Sequence, residues 1–258
     1  MIRNDWNPEL YLKFDNERTQ PAIDLISRID FSNPSKILDV GCGPGNSTQM
    51  LAARWPDSRI TGLDNSPAMI NRAAKDYPDQ DWIIADAGKE NIPGIYDIIF
   101  SNAAIQWIPD HYSLFSRLKE SLNSNGILAV QIPLFFEMPL GKSIRRISIE
   151  SKWADTLTGA NGLFTIHTPA EYYDILSGLF SKIDIWQTDY VHVMDSHEAI
   201  LQMIKSTGLK PYLDLLEKAD EKTELEKMVL EEIKKDYPLQ QNKKALLPFK
   251  RLFFIAKP

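Results

Sequence analysis

Apolar residues fall in short, nearly continuous runs through the first half of the chain. Residues 36–40 (KILDV), 59–63 (RITGL), 81–85 (DWIIA), 96–100 (YDIIF) and 127–132 (ILAVQI) are rich in β-branched and aliphatic side chains. Runs of this length with little polar alternation predict strands whose two faces are both covered. Between them, 49–54, 67–75 and 113–122 carry helical spacing. Strand and helix signals alternating at this interval predict an α/β, doubly wound parallel sheet.

The second half is patterned differently. Strand-like runs recur only at 183–186 with 190–193, and at 251–255. Helical spacing covers 141–157, 169–178, 196–206 and 211–236. In the last stretch Leu213, Leu216, Leu225, Met228, Val229 and Ile233 form an apolar stripe, and the charges from Glu217 to Asp236 are its solvated face. This half predicts closing strands of the same sheet plus a helical cap, so the chain is expected to be one domain over 1–258.

Composition narrows the class. Thirty-five acidic and 29 basic residues leave a net charge of −6, which argues against a surface built for a phosphate backbone. A single cysteine excludes a disulfide framework and a multi-cysteine zinc site. His111, His167, His192 and His197 have no metal-ligand spacing and read as surface or packing residues. No metal, nucleic-acid or membrane partner is therefore expected. The opening residues show no signal-peptide pattern and no apolar run reaches membrane-spanning length, so a cytoplasmic protein is expected.

The candidate chemistry sits at strand ends. The first strand feeds Gly41-Cys42-Gly43-Pro44-Gly45-Asn46. Such a turn brings backbone close to a ligand, and the following helix N-terminus favours an anionic group. A dinucleotide fingerprint would place glycine at 46, where this chain has asparagine. Asp64 ends the second strand, 21 residues beyond Gly43, where a carboxylate can accept both hydroxyls of a ribose. Asp86 is expected to end the third strand, in reach of a base amine. All three features belong to the carboxyl edge of one sheet, where such folds bind ligands.

Asp39-Val40-Gly41-Cys42-Gly43-Pro44-Gly45-Asn46 and Gly62-Leu63-Asp64-Asn65-Ser66-Pro67-Ala68-Met69 resemble the first two motifs of class I S-adenosylmethionine-dependent methyltransferases. Further segments, including Asp5-Trp6-Asn7-Pro8, Arg54-Trp55-Pro56, 105–112 (IQWIPDHY), Thr207-Gly208-Leu209 and Tyr237-Pro238-Leu239-Gln240, are similar to the branch that esterifies trans-aconitate and comparable small acids. The resemblance runs nearly the whole chain. It implies a Rossmann-like seven-stranded sheet with helices on both faces and a helical cap. It also implies an N-terminal helix within 1–30 over the donor, a donor-binding core over 31–135, and the cap with closing strands over 136–258. The chain departs from the branch at 133–139 (PLFFEMP), an apolar stretch expected where the substrate would sit.

For the donor, S-adenosyl-L-methionine, the resemblance implies roles residue by residue. Gly41, Gly43 and Gly45, with Asn46, would line the methionine part, and Asp39 would support the loop or the donor's ammonium group. Asp64 and Asn65 would serve the ribose, Met69 the adenine face, and Asp86 with Ala87 the adenine edge. Asn102 and Trp107 would close under the methyl group. Tyr11, Phe14 and Arg18 share a helix face, as core packing or as a cover over the donor with Arg18 on its carboxylate. No side chain is expected to act as a catalytic base, because a carboxylic acid is already ionised at neutral pH. The spare carboxylates of the acid would be held by cations and hydroxyls, with Arg145, Arg146, Tyr190, Lys210 and Arg251 as candidates. Three alternatives stand beside this reading: a methyltransferase with a carrier-bound malonyl or secondary-metabolite acceptor, an inactive donor-binding protein, and a nicotinamide enzyme. Asn46 and the loop spacing disfavour the last.

Overall fold

The computed structural model describes residues 15–258, with side chains from Thr19 onward. After helix α1 (Asp15–Ser27), strands and helices alternate: β1 (Lys36–Val40), α2 (Asn46–Arg54), β2 (Arg59–Asp64), α3 (Pro67–Asp76), β3 (Asp81–Ile84), β4 (Tyr96–Asn102), α4 (His111–Glu120) and β5 (Leu122–Pro133). Then come α5 (Pro139–Glu150), α6 (Ala154–Asn161), α7 (Pro169–Ser177), β6 (Lys182–Met194), α8 (His197–Lys205), α9 (Lys210–Leu215), α10 (Ala219–Asp236) and β7 (Ala245–Lys257). The seven strands form one sheet in the order β3-β2-β1-β4-β5-β7-β6. β3, β2, β1, β4 and β5 pair in parallel. The expected seven-stranded α/β sheet is therefore present.

Local chemistry starts the helices. Ser66 Oγ accepts from the Met69 amide at 3.2 Å with Pro67 at the first helical position of α3. Asp110 accepts from the Ser113 amide at 3.0 Å and opens α4. Thr168 and Glu171 form a reciprocal capping box on α7. Ile37, Leu38, Ile98, Ile99, Ile127 and Leu128 are fully buried, which is why their runs lack polar alternation.

Several boundaries differ from the sequence expectation. The stretch 141–157 is two helices. The chain leaves the helical path at Ser151, whose Oγ accepts from the Trp153 amide at 3.3 Å and offers the backbone a partner outside the helix. The stretch 211–236 is likewise α9 and α10, separated by a buried, extended Leu216. Leu213 therefore lies in a different helix from Leu225, Val229 and Ile233, and Leu216 lies in neither. β6 joins the two runs expected at 183–186 and 190–193, and β7 extends six residues before 251 despite an exposed Pro248. β3 ends at Ile84, so Asp86 lies in the following loop and does not end the strand.

The described residues divide into two compact units. The first comprises 15–132, 165–187 and 252–258, and the second 133–164 and 188–251. In the first, Leu114, Phe115, Leu118, Tyr172 and Phe254 are buried together, with Phe115 edge-on to Phe254 at 5.5 Å. In the second, Phe135, Phe136 and Phe164 form an aromatic cluster, with Phe136 edge-on to Phe164 at 5.3 Å.

Candidate active site

The site is built at the carboxyl ends of the parallel strands, within the first unit. Leaving β1, the chain turns at Gly41 (φ +72°), whose amide donates to Leu63 O at 2.7 Å. A Cβ on Gly41 would lie 2.1 Å from the Ala104 Cβ, so neither the backbone angle nor the space admits a side chain. Gly43 (φ +55°) is different: a Cβ there would meet no heavy atom within 4 Å. Its amide donates to Asp64 Oδ2 at 2.9 Å, while Asp64 Oδ1 accepts from the Ser66 amide at 2.9 Å. The carboxylate expected to serve a ribose is thus fixed in orientation and tied to the glycine loop.

Asp39 is fully buried beneath that loop. Its Oδ2 accepts from Ser47 Oγ and Thr48 Oγ1, both at 2.7 Å, and its Oδ1 is shielded from solvent without a hydrogen-bond partner among the described residues. Burial raises its pKa to about 6, against the two hydroxyl donors, which lower it, with the nearby Asp64 charge adding to the rise. A buried carboxylate with one unmet oxygen favours a cation. The Cys42 thiol beside it is pushed well up by burial and then by the Asp39 and Asp64 charges, so it is a poor nucleophile.

The Ala85 amide donates to Asp64 O at 3.1 Å and carries the chain past β3. Asp86 Oδ1 accepts from the Gly88 amide at 2.9 Å, Oδ2 pairs with Lys89 at 2.8 Å, and its amide donates to Glu90. Arg117 donates to the carbonyls of Ala87 (3.1 Å) and Gly88 (2.7 Å), which holds this loop in shape. Asn65 is exposed, Asn46 half-buried at the start of α2, and Met69 buried at 3% exposure on α3.

β4 ends at Asn102, whose Oδ1 is buried without a hydrogen-bond partner among the described residues. Ala103 follows at φ +54°, a conformation costly for a residue with a Cβ. Its amide donates to Gln131 O at 3.0 Å, and the short 3₁₀ turn Ile105–Trp107 places a half-buried Trp107 next. This turn is anchored by a residue that the sequence reading leaves as surface or packing. His111 is 1% exposed; its Nε2 lies 2.9 Å from Ile105 O and its Nδ1 lies 3.0 Å from the Tyr172 hydroxyl. Burial lowers its pKa to about 4. The carbonyl contact makes Nε2 the protonated nitrogen, so Nδ1 accepts from Tyr172. Its one sequence signal is its position directly after Pro109-Asp110, at a helix start facing inward.

Tyr11, Phe14 and the Arg18 side chain lie outside the described residues. The candidates for acceptor carboxylates all belong to the second unit, and they differ. Arg146 is exposed and pairs with Glu232 at 2.6 Å and Glu150 at 3.4 Å. Lys210 pairs with Asp214. Arg145 is exposed, with its guanidinium 5.8 Å from the Phe136 ring centre. Arg251 is 5% exposed, with its guanidinium 4.6 Å from the Phe249 ring centre. Tyr190 stacks on His192, ring centres 6.5 Å apart and planes 7° apart. The apolar stretch 133–139, expected where a substrate would sit, instead puts Leu134 and Phe135 in the core of the second unit. A Cβ on Gly208 would come within 2.5 Å of the Phe135 ring. Among the described residues, no group of three histidine, cysteine or acidic side chains is arranged to hold a metal ion, and no helix is long and apolar enough to cross a membrane.

A parallel sheet with a glycine turn after β1 and a carboxylate at the end of β2 defines a Rossmann-like nucleotide-binding class, and residues 37–126 match the methyltransferase domain family. Two solved structures share the fold. One is the YcgJ protein of Bacillus subtilis, with TM-score 0.60 and 13% identity, covering 92% of this chain and 98% of that one. The other is an O-methyltransferase from a trans-AT PKS multienzyme of Brevibacillus brevis, in complex with S-adenosyl-L-homocysteine. It has TM-score 0.54 and 18% identity, covering 97% and 77%. Over 256 residues the chain is 43% identical to trans-aconitate 2-methyltransferase of Escherichia coli (strain K12 / DH10B), covering 98% of both chains. The chain belongs to the trans-aconitate 2-methyltransferase family.

Proposed function

We propose that this chain transfers the methyl group of S-adenosyl-L-methionine to a carboxylate oxygen of trans-aconitate or a similar small di- or tricarboxylic acid, giving the monomethyl ester. The observation that carries the reading is the 43% identity over 98% of both chains to a protein of that name. The site's chemistry fits the donor. Gly43 opens onto space, Asp39 Oδ1 and Asn102 Oδ1 are buried polar atoms without a protein partner among the described residues, and Asp64 is held in place by two amides. When bound, the donor supplies an electrophilic methyl group on a sulfonium.

Gly41, Gly43, Gly45, Asn46 and Asp39 hold the amino-acid end in this reading. Asp64 and Asn65 take the ribose, Asp86, Ala87 and Met69 the adenine, and Asn102 and Trp107 flank the methyl group, with Tyr11 and Arg18 over the donor. The acceptor carboxylate is ionised at neutral pH, so its oxygen attacks without a general base. Charge is lost as the ester forms, so apolar walls that exclude water favour the reaction. The chain's main contribution is positioning, with oxygen and methyl carbon held in line about 3 Å apart. A small-molecule acceptor, rather than a nucleic acid, fits the net charge of −6.

The test is methyl transfer from labelled donor across a panel of di- and tricarboxylic acids. Ester formation with trans-aconitate above the other acids is expected. Absence of transfer to every acid, with donor binding intact, would defeat the reading.

A further inference from the structure

The segment that follows β4 is held from more sides than its own turn requires. Ala103 stands at φ +54°. A residue with a Cβ keeps that backbone angle only where its surroundings over-determine it, and such angles cluster at functional sites. The Ala103 amide donates to Gln131 O at 3.0 Å, its carbonyl accepts from Gln106 Nε2 at 2.7 Å, and Gln106 O accepts from the Thr165 amide at 2.8 Å. The Ala104 Cβ fills the space in which a Cβ on Gly41 would stand, 2.1 Å away, so the turn interlocks with the glycine loop.

His111 adds a restraint of a different kind. Ile105 O already accepts from the Ile108 amide at 2.9 Å, which closes the 3₁₀ turn by itself. The second contact to that oxygen, from His111 Nε2 at 2.9 Å, does not make the turn; it fixes where the turn stands against α4. The imidazole has little freedom of its own. It stacks on Tyr172 at 5.6 Å and 20°, meets His167 edge-on at 5.2 Å and Phe115 at 5.7 Å, and its Nδ1 accepts from the Tyr172 hydroxyl at 3.0 Å. Burial keeps the ring neutral, so one nitrogen stays a donor and the other an acceptor. All of these residues belong to the first unit.

We propose that His111 is a positioning residue for methyl transfer: through Ile105 O it sets where Asn102 and Trp107 stand against the glycine loop, and Tyr172 fixes its tautomer. This rests on the reading that Asn102 and Trp107 flank the transferred methyl group. His111 acts through the turn and not on the reactants. Misplacing groups around reacting atoms lowers the rate far more than the affinity, because alignment counts most in the transition state. The signature is therefore a loss of kcat with KM preserved.

Three variants test it. His111→Gln keeps a donor near the Nε2 position, in reach of Ile105 O. His111→Asn reaches only toward Tyr172. The double variant His111→Phe with Tyr172→Phe removes both polar ends together, keeps the ring packing and strands no hydroxyl. Transfer to trans-aconitate, donor affinity by calorimetry and thermal unfolding are measured in each. The expected result is a kcat within about threefold of the parent in His111→Gln, and lowered at least tenfold in His111→Asn and in the double variant. KM for the acid and donor affinity should stay within about threefold throughout, and kcat should not follow the order of thermal stability. With the parent active, a kcat within twofold of the parent in folded His111→Asn or in the folded double variant overturns the positioning role and leaves the enzymatic reading intact. Equal kcat in His111→Gln and His111→Asn also overturns it, as does a loss carried by KM or donor affinity alone. Inactivity of the parent toward every acid overturns the enzymatic reading, and the positioning role with it. If His111→Asn fails to fold, the double variant decides by the same criterion, and the reverse.

Discussion

The Tyr172 hydroxyl and His111 Nδ1 lie 3.0 Å apart, and both side chains are buried. Through the opposite nitrogen, His111 reaches Ile105 O at 2.9 Å and so ties α7 to the turn that presents Trp107. Removing only the hydroxyl, in Tyr172→Phe, should cost about 0.5–1.5 kcal/mol of stability, the net worth of one hydrogen bond. His111→Ala should cost more, since it leaves two buried groups unmet and a cavity. Urea unfolding of both variants measures the difference.

The same histidine makes stability depend on pH. Its folded pKa is about 4 against an ordinary 6.5. Above pH 6.5 it is neutral in both states and its contribution is complete. As pH falls from 6.5 toward 4, the unfolded chain takes the proton first and stability drops, by about 3 kcal/mol at most from this group. Asp39 acts in the opposite sense. Its folded pKa is about 6 against 3.8, so the cost of its buried charge is relieved as pH falls through 6. His192, buried and next to the Arg251 charge, is depressed to about 4 as well, so unfolding between pH 7 and pH 4.5 should show a smaller acid loss than the two histidines together dictate, and a larger one in Asp39→Asn.

Donor binding should release a proton near pH 6. A cation beside Asp39 favours its ionised form, so affinity rises with pH up to about 6 and then levels. Calorimetry in two buffers of different ionisation enthalpy reads the proton directly. Asp39→Asn should abolish the release.

Asp64→Ala should weaken donor binding by at least about tenfold, which is 1.4 kcal/mol. Charge-assisted bonds to two ribose hydroxyls are worth more than that between them. Calorimetric titration of the folded variant checks it, and unchanged affinity would remove the ribose role.

Two of the arginines named as acid-binding candidates should part company. Arg146→Ala should change efficiency by about 0.5 kcal/mol or less, because its charge is already engaged at the surface with Glu232 and Glu150. Arg251→Ala should lower kcat/KM for the acid by about 2–4 kcal/mol, the cost of stranding a buried charge's partner. Steady-state kinetics at saturating donor separates them.

Gly208→Ala should destabilise the chain by about 1–3 kcal/mol through overpacking against Phe135. Combining it with Phe135→Leu should return part of the loss. Thermal unfolding of the two single variants and the double variant tests the coupling.

By itself, the sequence determined the parallel core, the glycine loop and the strand-end carboxylates of the candidate site. Each of those features is local: Gly41 and Gly43 follow directly from β1, Asp64 ends β2, and the runs at 36–40, 96–100 and 127–132 are apolar because helices cover both sheet faces. The tertiary structure alone decided the rest, because it depends on contacts between residues far apart in the chain. His111 has the composition of a surface residue until Tyr172, 61 positions away, meets its ring. Phe135 has the look of a pocket wall until Gly208 opens the space that buries it. Arg146 and Arg251 are equal as letters, and only Glu232 beside one and Phe249 beneath the other tell a solvated ion pair from a buried charge. The helix breaks at Ser151 and Leu216 have the same origin. Neither has a glycine or proline to mark it, and burial of Trp153 and Leu216 ends a periodicity that the sequence continues.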